Sequence, residues 1–373
     1  MLVTIWGTVF TYTVYAGKLA ATFGLSGLQV SAVFSITTAS FLVVGSVFGV
    51  LAARFPLRPV VAAAGVGVAV AAALVQVVHS YVGVVAAFAL LGTAGGTAFI
   101  VIVSLVPRWF DAHQGRAMGL TMTGNGVGLL VMPFAWLWLF ARTDFRTAFT
   151  LVAGASAAVV LASSLVYRRP RGRTRSVTGI DTAWVRSMIA DPRFRCASIG
   201  YALLWGWYYV LSSQLVDVVT AGDIGDGVAS AAFGTIGGIS IFTRVGSGFA
   251  GDRVGRRRTF ATGVVLASAG VFALPFVHSR LSLSVTLVGF GVGLGALASL
   301  WSPIVITRFG PENATATLGL LKIPQPLAAF FAPLAVSALH HETGGYAVPL
   351  VALGAVTVLG AAFFYWGTAP ESG

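Results

Sequence analysis

Long apolar runs, each about the length of a membrane crossing, alternate with short polar segments along the 373 residues of this chain. The run from Val60 to Val78 is typical, closed on either side by short segments carrying Arg or a small polar residue. A hydrocarbon core about 30 Å thick takes roughly 20 apolar residues in a helix. Lipid offers no partners to the backbone, so only helices and closed barrels can cross it. A barrel would show segments of about ten residues alternating in polarity, and the long unbroken runs here do not. The pattern predicts twelve spans, over residues 2–23, 29–52, 59–79, 82–106, 117–140, 146–167, 196–219, 228–250, 259–278, 281–306, 315–339 and 346–367. The longest polar stretch, 168–195, is expected to be a basic cytoplasmic linker. It would join an N-terminal six-helix bundle, 1–167, to a C-terminal one, 196–373. The expected class is an all-α membrane protein with twelve transmembrane helices in two pseudo-symmetric six-helix bundles. The first span starts almost at Met1, so no cleavable signal peptide is expected, and the native N-terminus has room to be longer.

Composition agrees with a chain immersed in lipid: 57% of residues are hydrophobic and 9% charged, too few charges for a water-facing surface. The formal charge of +12 raises the question of nucleic acid, but its distribution answers it. Seventeen of the 23 basic residues fall in segments on one side of the predicted membrane and only Arg142, Arg146 and Arg280 on the other. By the positive-inside rule the Arg-rich side is cytoplasmic. The expectation is a multi-pass protein of the cell membrane with both termini cytoplasmic, no nucleic acid partner and a monomeric state. The run Arg168, Arg169, Arg171, Arg173 and Arg175 would also attract anionic lipid headgroups. The single Cys196 can form no internal disulfide and is given no role.

The two halves repeat a motif. After the second span come Gly49, Arg54 and Arg58; after the eighth come Gly248, Asp252, Arg253, Gly255, Arg256 and Arg257 at the same spacing. Six-helix repeats with substrate held between them near mid-membrane mark one class of transporter. These segments resemble the signature G-x-x-x-D-R-x-G-R-R/K of the major facilitator superfamily. Residues 248–257 match it fully, whereas the first copy has Ala53 for the Asp and Pro56 for the Gly. The resemblance implies the major facilitator fold and a gate that uses Asp252, Arg253, Arg256, Arg54 and Arg58, since an Asp beside Arg at a helix end can pair in one conformation and separate in another. A plain orienting cluster of Arg is the alternative.

A narrower resemblance covers most of the chain. Arg108, Gly115, Arg116, Gly119, Gly124, Asn125 and Gly126 are similar to the loop entering helix 5 of monocarboxylate and oxalate/formate transporters. The segment from Gly237 through Arg244 to Gly248 is similar to their helix 8, which implies that Arg244 binds a substrate carboxylate. Lys18, with Phe23 five residues on, reproduces the helix 1 spacing of the monocarboxylate transporters, and Gly319 and Pro333 align helix 11. In three respects the chain departs from these families. Ser240 replaces the acid that precedes the helix 8 Arg in animal relatives. Gln325 replaces the helix 11 Lys of the oxalate transporter, with Lys322 one turn earlier. The acidic and aromatic start of helix 1 is not visible.

The remaining candidates follow from the cost of charge in lipid, at least about 2.5 kcal/mol at the centre of a helix. Arg244, Lys18 and Lys322 lie within predicted spans, and no Asp or Glu lies deep in any, Asp217 being close to an outer end. Three cations without a protein counter-ion are expected to receive one from an anionic substrate. Arg can hold a carboxylate by two parallel hydrogen bonds; bonding to backbone carbonyls is the structural alternative. Lys18 can instead snorkel to the interface. Gln325, Asn125, Tyr15, Tyr209 and Trp301 complete the expected substrate site, with Tyr12, Trp205 and Tyr208 shaping the cavity. Pro324 and Pro326 flank Gln325 and are expected to interrupt the helix there. His340 and His341 are expected in a loop. No His falls in a metal motif, and there is neither a G-x-S-x-G nor a P-loop, so no metal, cofactor or enzymatic activity is expected. The expected function is secondary transport of a small carboxylate by alternating access, as proton symport or anion exchange; the alternative is an exporter of drugs or another solute.

Overall fold

The computed structural model describes residues 1–51, 56–109, 114–167, 182–222, 224–310 and 314–370, apart from the side chains at 46–51, 104, 106–109, 114–119, 182, 226 and 314–315. Arg54 and the basic run Arg168 to Arg175 lie outside the described residues. Every regular element described is helical: α1 (Leu2–Phe10), α2 (Tyr12–Phe23), α3 (Gly27–Leu51), α4 (Leu57–Val77), α5 (Tyr81–Trp109), α6 (Gln114–Phe140), α7 (Phe145–Val166), α8 (Thr182–Ala190), α9 (Pro192–Leu204), α10 (Gly206–Thr220), α11 (Asp226–Val254), α12 (Arg256–Ala273), α13 (Arg280–Phe309), α14 (Ala314–Leu321), α15 (Gln325–Thr343) and α16 (Ala347–Gly367). Among the described residues, ten helical spans are long and apolar enough to cross a membrane.

The first and seventh predicted spans are the two that fall outside those ten, and each is broken in its middle. Thr11 separates α1 from α2, and Trp205 separates α9 from α10. Side chains take up the carbonyls around the first break. The Thr11 hydroxyl donates to the Gly7 carbonyl, Tyr15 Oη donates to Thr8 O at 2.9 Å, and Trp136 Nε1 donates to Thr11 Oγ1 at 3.0 Å. A freed backbone group in lipid is tolerated when neighbouring side chains satisfy it in this way. The eleventh span turns at Lys322 to Pro324, between α14 and α15, as the two prolines predict. Within the stretch expected as linker stand α8 and the start of α9, with Asp191 capping α9 by accepting from Arg193 N at 2.8 Å. His340 and His341 are likewise corrected from a loop to the last turn of α15.

Packing runs mainly within residues 1–167 and within 182–370: α3 with α5, α4 with α5 and α7, and α1 with α6; then α9 with α16, α11 with α13, and α12 with α13 and α16. The two sets meet chiefly through α6 on α11, α3 on α15 and α2 on α10. Arg58 and Arg257, at matching places in the sequence repeat, do matching work. Arg58 Nε donates to the carbonyl of Tyr167 at the end of α7, at 3.0 Å. The Arg257 guanidinium donates to the carbonyls of Tyr365, at 2.7 Å, and of Thr368, at the end of α16. Each supplies a cation to a helix C-terminus, where unpaired carbonyls and the dipole favour one.

On the opposite side Asp144 caps α7, accepting from the Arg146 and Thr147 backbone N–H groups at 3.0 and 3.4 Å and from Thr147 Oγ1 at 2.6 Å. The Thr147 hydroxyl holds its carboxyl below the ordinary range. Replacing Asp144 with Ala is expected to cost about 1 kcal/mol, seen as a lower midpoint of thermal unfolding for the purified protein; an unchanged midpoint would remove the cap from the account.

Candidate functional site

Arg244 is fixed in place by glycines. Gly295 of α13 lies so close to α11 that a Cβ there would come within 2.8 Å of the Arg244 backbone nitrogen, and Thr243 Oγ1 donates to Gly291 O of α13 at 2.9 Å. On the other side of α11, Gly126 of α6 faces Ile241, and Gly237 faces Leu129; a Cβ on either would come within 2.5 Å of the opposing side chain. Small residues let membrane helices approach closely, and here they press α11 between α13 and α6. The Arg244 guanidinium reaches across to α6 and donates through one amino group to Met122 O at 3.1 Å. Its Nε is buried without a partner. The bond to a backbone carbonyl, the structural alternative, is therefore present, and beside it one buried donor has no partner.

Asn125 lies one turn along α6 from Met122, 4% exposed, with Nδ2 directed at Met122 Sδ at 3.7 Å and Oδ1 unpartnered. The adjoining glycines pack closely: Gly124 against Leu2 and Gly128 against the Val3 carbonyl of α1. Tyr208 of α10 accepts from Trp6 Nε1 at 3.1 Å, joining the helices on either side of the centre. Trp205, at the break between α9 and α10, has its Nε1 unpartnered and stands at 5.7 Å from the Tyr208 ring.

Lys322 occupies the turn between α14 and α15, half-buried, with Nζ 4.6 Å from the centre of the Trp301 ring. Trp301 in turn rests on Tyr201 at 4.8 Å. Gln325 Nε2 donates to Tyr209 Oη at 2.8 Å, both side chains buried. No described carboxylate pairs with Arg244 or Lys322. Trp301→Ala removes the ring beneath the ammonium, an interaction of about 0.5–2 kcal/mol, and is expected to raise the KM of transport by about 2- to 30-fold. Trp301→Phe is expected to fall between, and a KM unmoved by both would detach Lys322 from substrate binding.

Two expected site residues stand elsewhere. Tyr15 is 1% exposed among Tyr12, Phe88, Trp136, Phe145 and Phe149, its hydroxyl committed to the Thr8 carbonyl. Its place is in the packing that seals the α1–α2 break. The expectation of a buried Lys18 is corrected: its side chain is exposed, on the outward face of α2 beside Gly17 and less than two turns from Gly24, whose left-handed conformation ends the helix. A long stem at a helix end can carry its ammonium to the interface. Asp217 is exposed in the last turn of α10. In the second copy of the motif Asp252 and Arg256 stand 3.7 Å apart, while Arg253 is exposed.

Sequence reading missed Trp6, the Met122 carbonyl and Gln214. The last is 4% exposed and donates from Nε2 to Pro333 O of α15 at 2.8 Å and to Ser31 Oγ of α3 at 3.3 Å. Beside it the Val216 N–H donates to Thr13 Oγ1 of α2 at 2.8 Å. A polar amide in the middle of an apolar run was the available signal.

The comparisons with known proteins fall on this same arrangement. The model of the Major Facilitator Superfamily matches residues 1–249 and 196–373. The chain belongs to the Major Facilitator Superfamily. Its resemblance to monocarboxylate transporters extends over nearly the whole length: monocarboxylate transporter 13 of Rattus norvegicus is 24% identical over 366 residues, 95% of this chain and 84% of that protein. The fujikurins efflux protein of Gibberella fujikuroi is 23% identical over 268 residues, 70% of this chain and 56% of that protein. A crystal structure of the nucleoside transporter NupG superposes with a TM-score of 0.79 at 11% identity, covering 98% of each chain, which supports the fold alone. The chain is thus a multi-pass membrane protein of a superfamily of transporters for small molecules.

Proposed function

We propose that this protein carries a small monocarboxylate across the membrane by alternating access, as proton symport or anion exchange, with Arg244 holding the carboxylate. The observation that supports this most is the Arg244 guanidinium itself. It sits mid-helix at the contact of α11 with α6, half-buried, with an unpartnered Nε and no described carboxylate to balance it. An uncompensated cation in such a place costs several kcal/mol, and an anion passing through would supply the missing charge. Lys322 over Trp301 is a second positive point, with Gln325, Tyr209 and Asn125 offering further polar contacts and Trp6, Trp205 and Tyr208 an aromatic wall for the apolar part of the acid. The name of the rat relative speaks for the same substrate class.

In this reading the broken first and seventh spans complete a set of twelve crossings. Residues 1–167 and 196–373 form the two halves, and the Arg-rich ends and both termini face the cytoplasm. The bonds of Gln214 and Val216 to Ser31, Pro333 and Thr13 lie toward the Arg-poor side, consistent with a state closed there. Asp252, Arg253 and Arg256, together with Arg58 and Arg54, gate the Arg-rich end, and the unit is a monomer. An exporter of a larger solute is the second reading, favoured by the likeness to the fujikurins efflux protein and by Ser240 where animal monocarboxylate transporters place an acid.

The test is uptake of labelled lactate, pyruvate, formate and oxalate into proteoliposomes, with and without an inward proton gradient. Saturable uptake of one acid is expected, and its dependence on the gradient separates symport from exchange. If no acid enters, the carboxylate reading falls and the exporter stands.

A further inference from the structure

A cavity of about 720 Å³ opens at the Arg-rich end of the molecule, between the α11–α12 turn and the ends of α13 and α16, far along the helices from the site around Arg244. Its walls carry four guanidinium groups, Arg256, Arg257, Arg258 and Arg308, and no described carboxylate. Asp252 lies outside the wall and pairs loosely with Arg256 at 3.7 Å. Arg257 is spent on the neutral carbonyls of Tyr365 and Thr368, which orient it without cancelling its charge. Gly255 with φ of 103° stands at the N-cap of α12 and offers no side chain to the first N–H groups of that helix, so the dipole adds to the same positive field. The remainder of the lining is partly apolar, including Val254 and Tyr365, 60% and 44% exposed, at the level where the helices leave the hydrocarbon.

We propose that this cavity binds a phosphate group, supplied either by the headgroup of an anionic phospholipid or by a soluble phosphate. Planar guanidiniums match phosphate oxygens through paired hydrogen bonds. Basic pockets between membrane helices hold anionic headgroups by the same chemistry, and the apolar flank beside Val254 and Tyr365 suits the glycerol end of a lipid.

The experiment uses the purified full chain offered equal amounts of phosphatidylglycerol and phosphatidylcholine, with retained lipid counted by native mass spectrometry. In a parallel arm the thermal midpoint is followed as inorganic phosphate is added. The wild type is expected to retain the anionic lipid about tenfold over the neutral one, from two charge-assisted contacts. The double variant Arg256→Gln, Arg258→Gln is expected to lose that preference, while Arg58→Gln, which removes one positive charge on the same side, keeps it. Stabilisation by inorganic phosphate without lipid preference, lost in the double variant, would assign the site to a soluble phosphate. A wild type indifferent to both ligands, or an equal loss in Arg58→Gln, would overturn the proposal. Should the double variant not fold, Arg258→Gln alone and displacement of the retained lipid by inorganic phosphate decide on the same terms.

Discussion

Replacing Arg244 with glutamine is expected to cut carboxylate uptake by two to three orders of magnitude. Removing one partner of a buried charge pair costs about 2–5 kcal/mol, and glutamine keeps neither the charge nor the planar fork. Arg244→Lys keeps the charge but not the fork, and is expected to remain at least tenfold below wild type. Because Arg244 also bonds the Met122 carbonyl and so ties α11 to α6, thermal unfolding has to be followed beside uptake. A hydrogen bond from a charged donor is worth about 1.5–3 kcal/mol, so a modest drop in midpoint belongs to the tie. A variant that unfolds near the wild-type temperature yet transports nothing places the loss at the substrate. Full transport by Arg244→Gln would remove Arg244 from the site and with it the main support for a carboxylate.

The second large effect is expected at Gly96. Gly92 and Gly96 lie one turn apart on α5, where a Cβ would strike the carbonyl oxygens of Thr37 and Phe41 on α3. Both obstacles are backbone, so no rotamer change relieves them. Moving α3 away would also draw Phe41 out of its ring contacts with Trp6, Phe10 and Phe99 at 5.8, 5.5 and 5.5 Å. Even one added methyl in a filled interior costs about 1–3 kcal/mol, and leucine adds four heavy atoms. Gly96→Leu is expected to yield almost no monodisperse protein on size exclusion and Gly96→Ala a markedly lower thermal midpoint. Gly154→Leu, at a position where a Cβ meets nothing within 4 Å, should behave as wild type. A well-folded Gly96→Leu protein would show that α3 and α5 do not pack this closely.

What the residues alone revealed, and what they hid, divides by range of interaction. Helix after helix was visible because lipid makes length and apolarity nearly sufficient, and the turn at Lys322 to Pro324 because proline acts on its own neighbours. The breaks at Thr11 and Trp205 were hidden, since both lie in apolar runs with no proline, and the first is sustained by Tyr15 and by Trp136, which is 125 positions away. Lys18 was misplaced because counting residues along a span gives depth but not which way the helix face turns. Arg244 was singled out by type and spacing, but its Met122 partner is a backbone carbonyl, a group every residue carries and no pattern distinguishes. The helix α8 escaped because its polar surroundings read as linker.

The broken helices also bear on how such a molecule changes shape. Continuous rods 20 or more residues long can rearrange only by tilting whole, which drags both membrane surfaces along. The pairs α1–α2 and α9–α10 are instead short rods of 9, 12, 13 and 15 residues, joined mid-depth. In the proposed cycle, a joint there would let one end of the molecule loosen while the bonds of Gln214 and Thr13 hold at the other. The two faces need not move in lockstep, and an intermediate shut at both becomes geometrically natural.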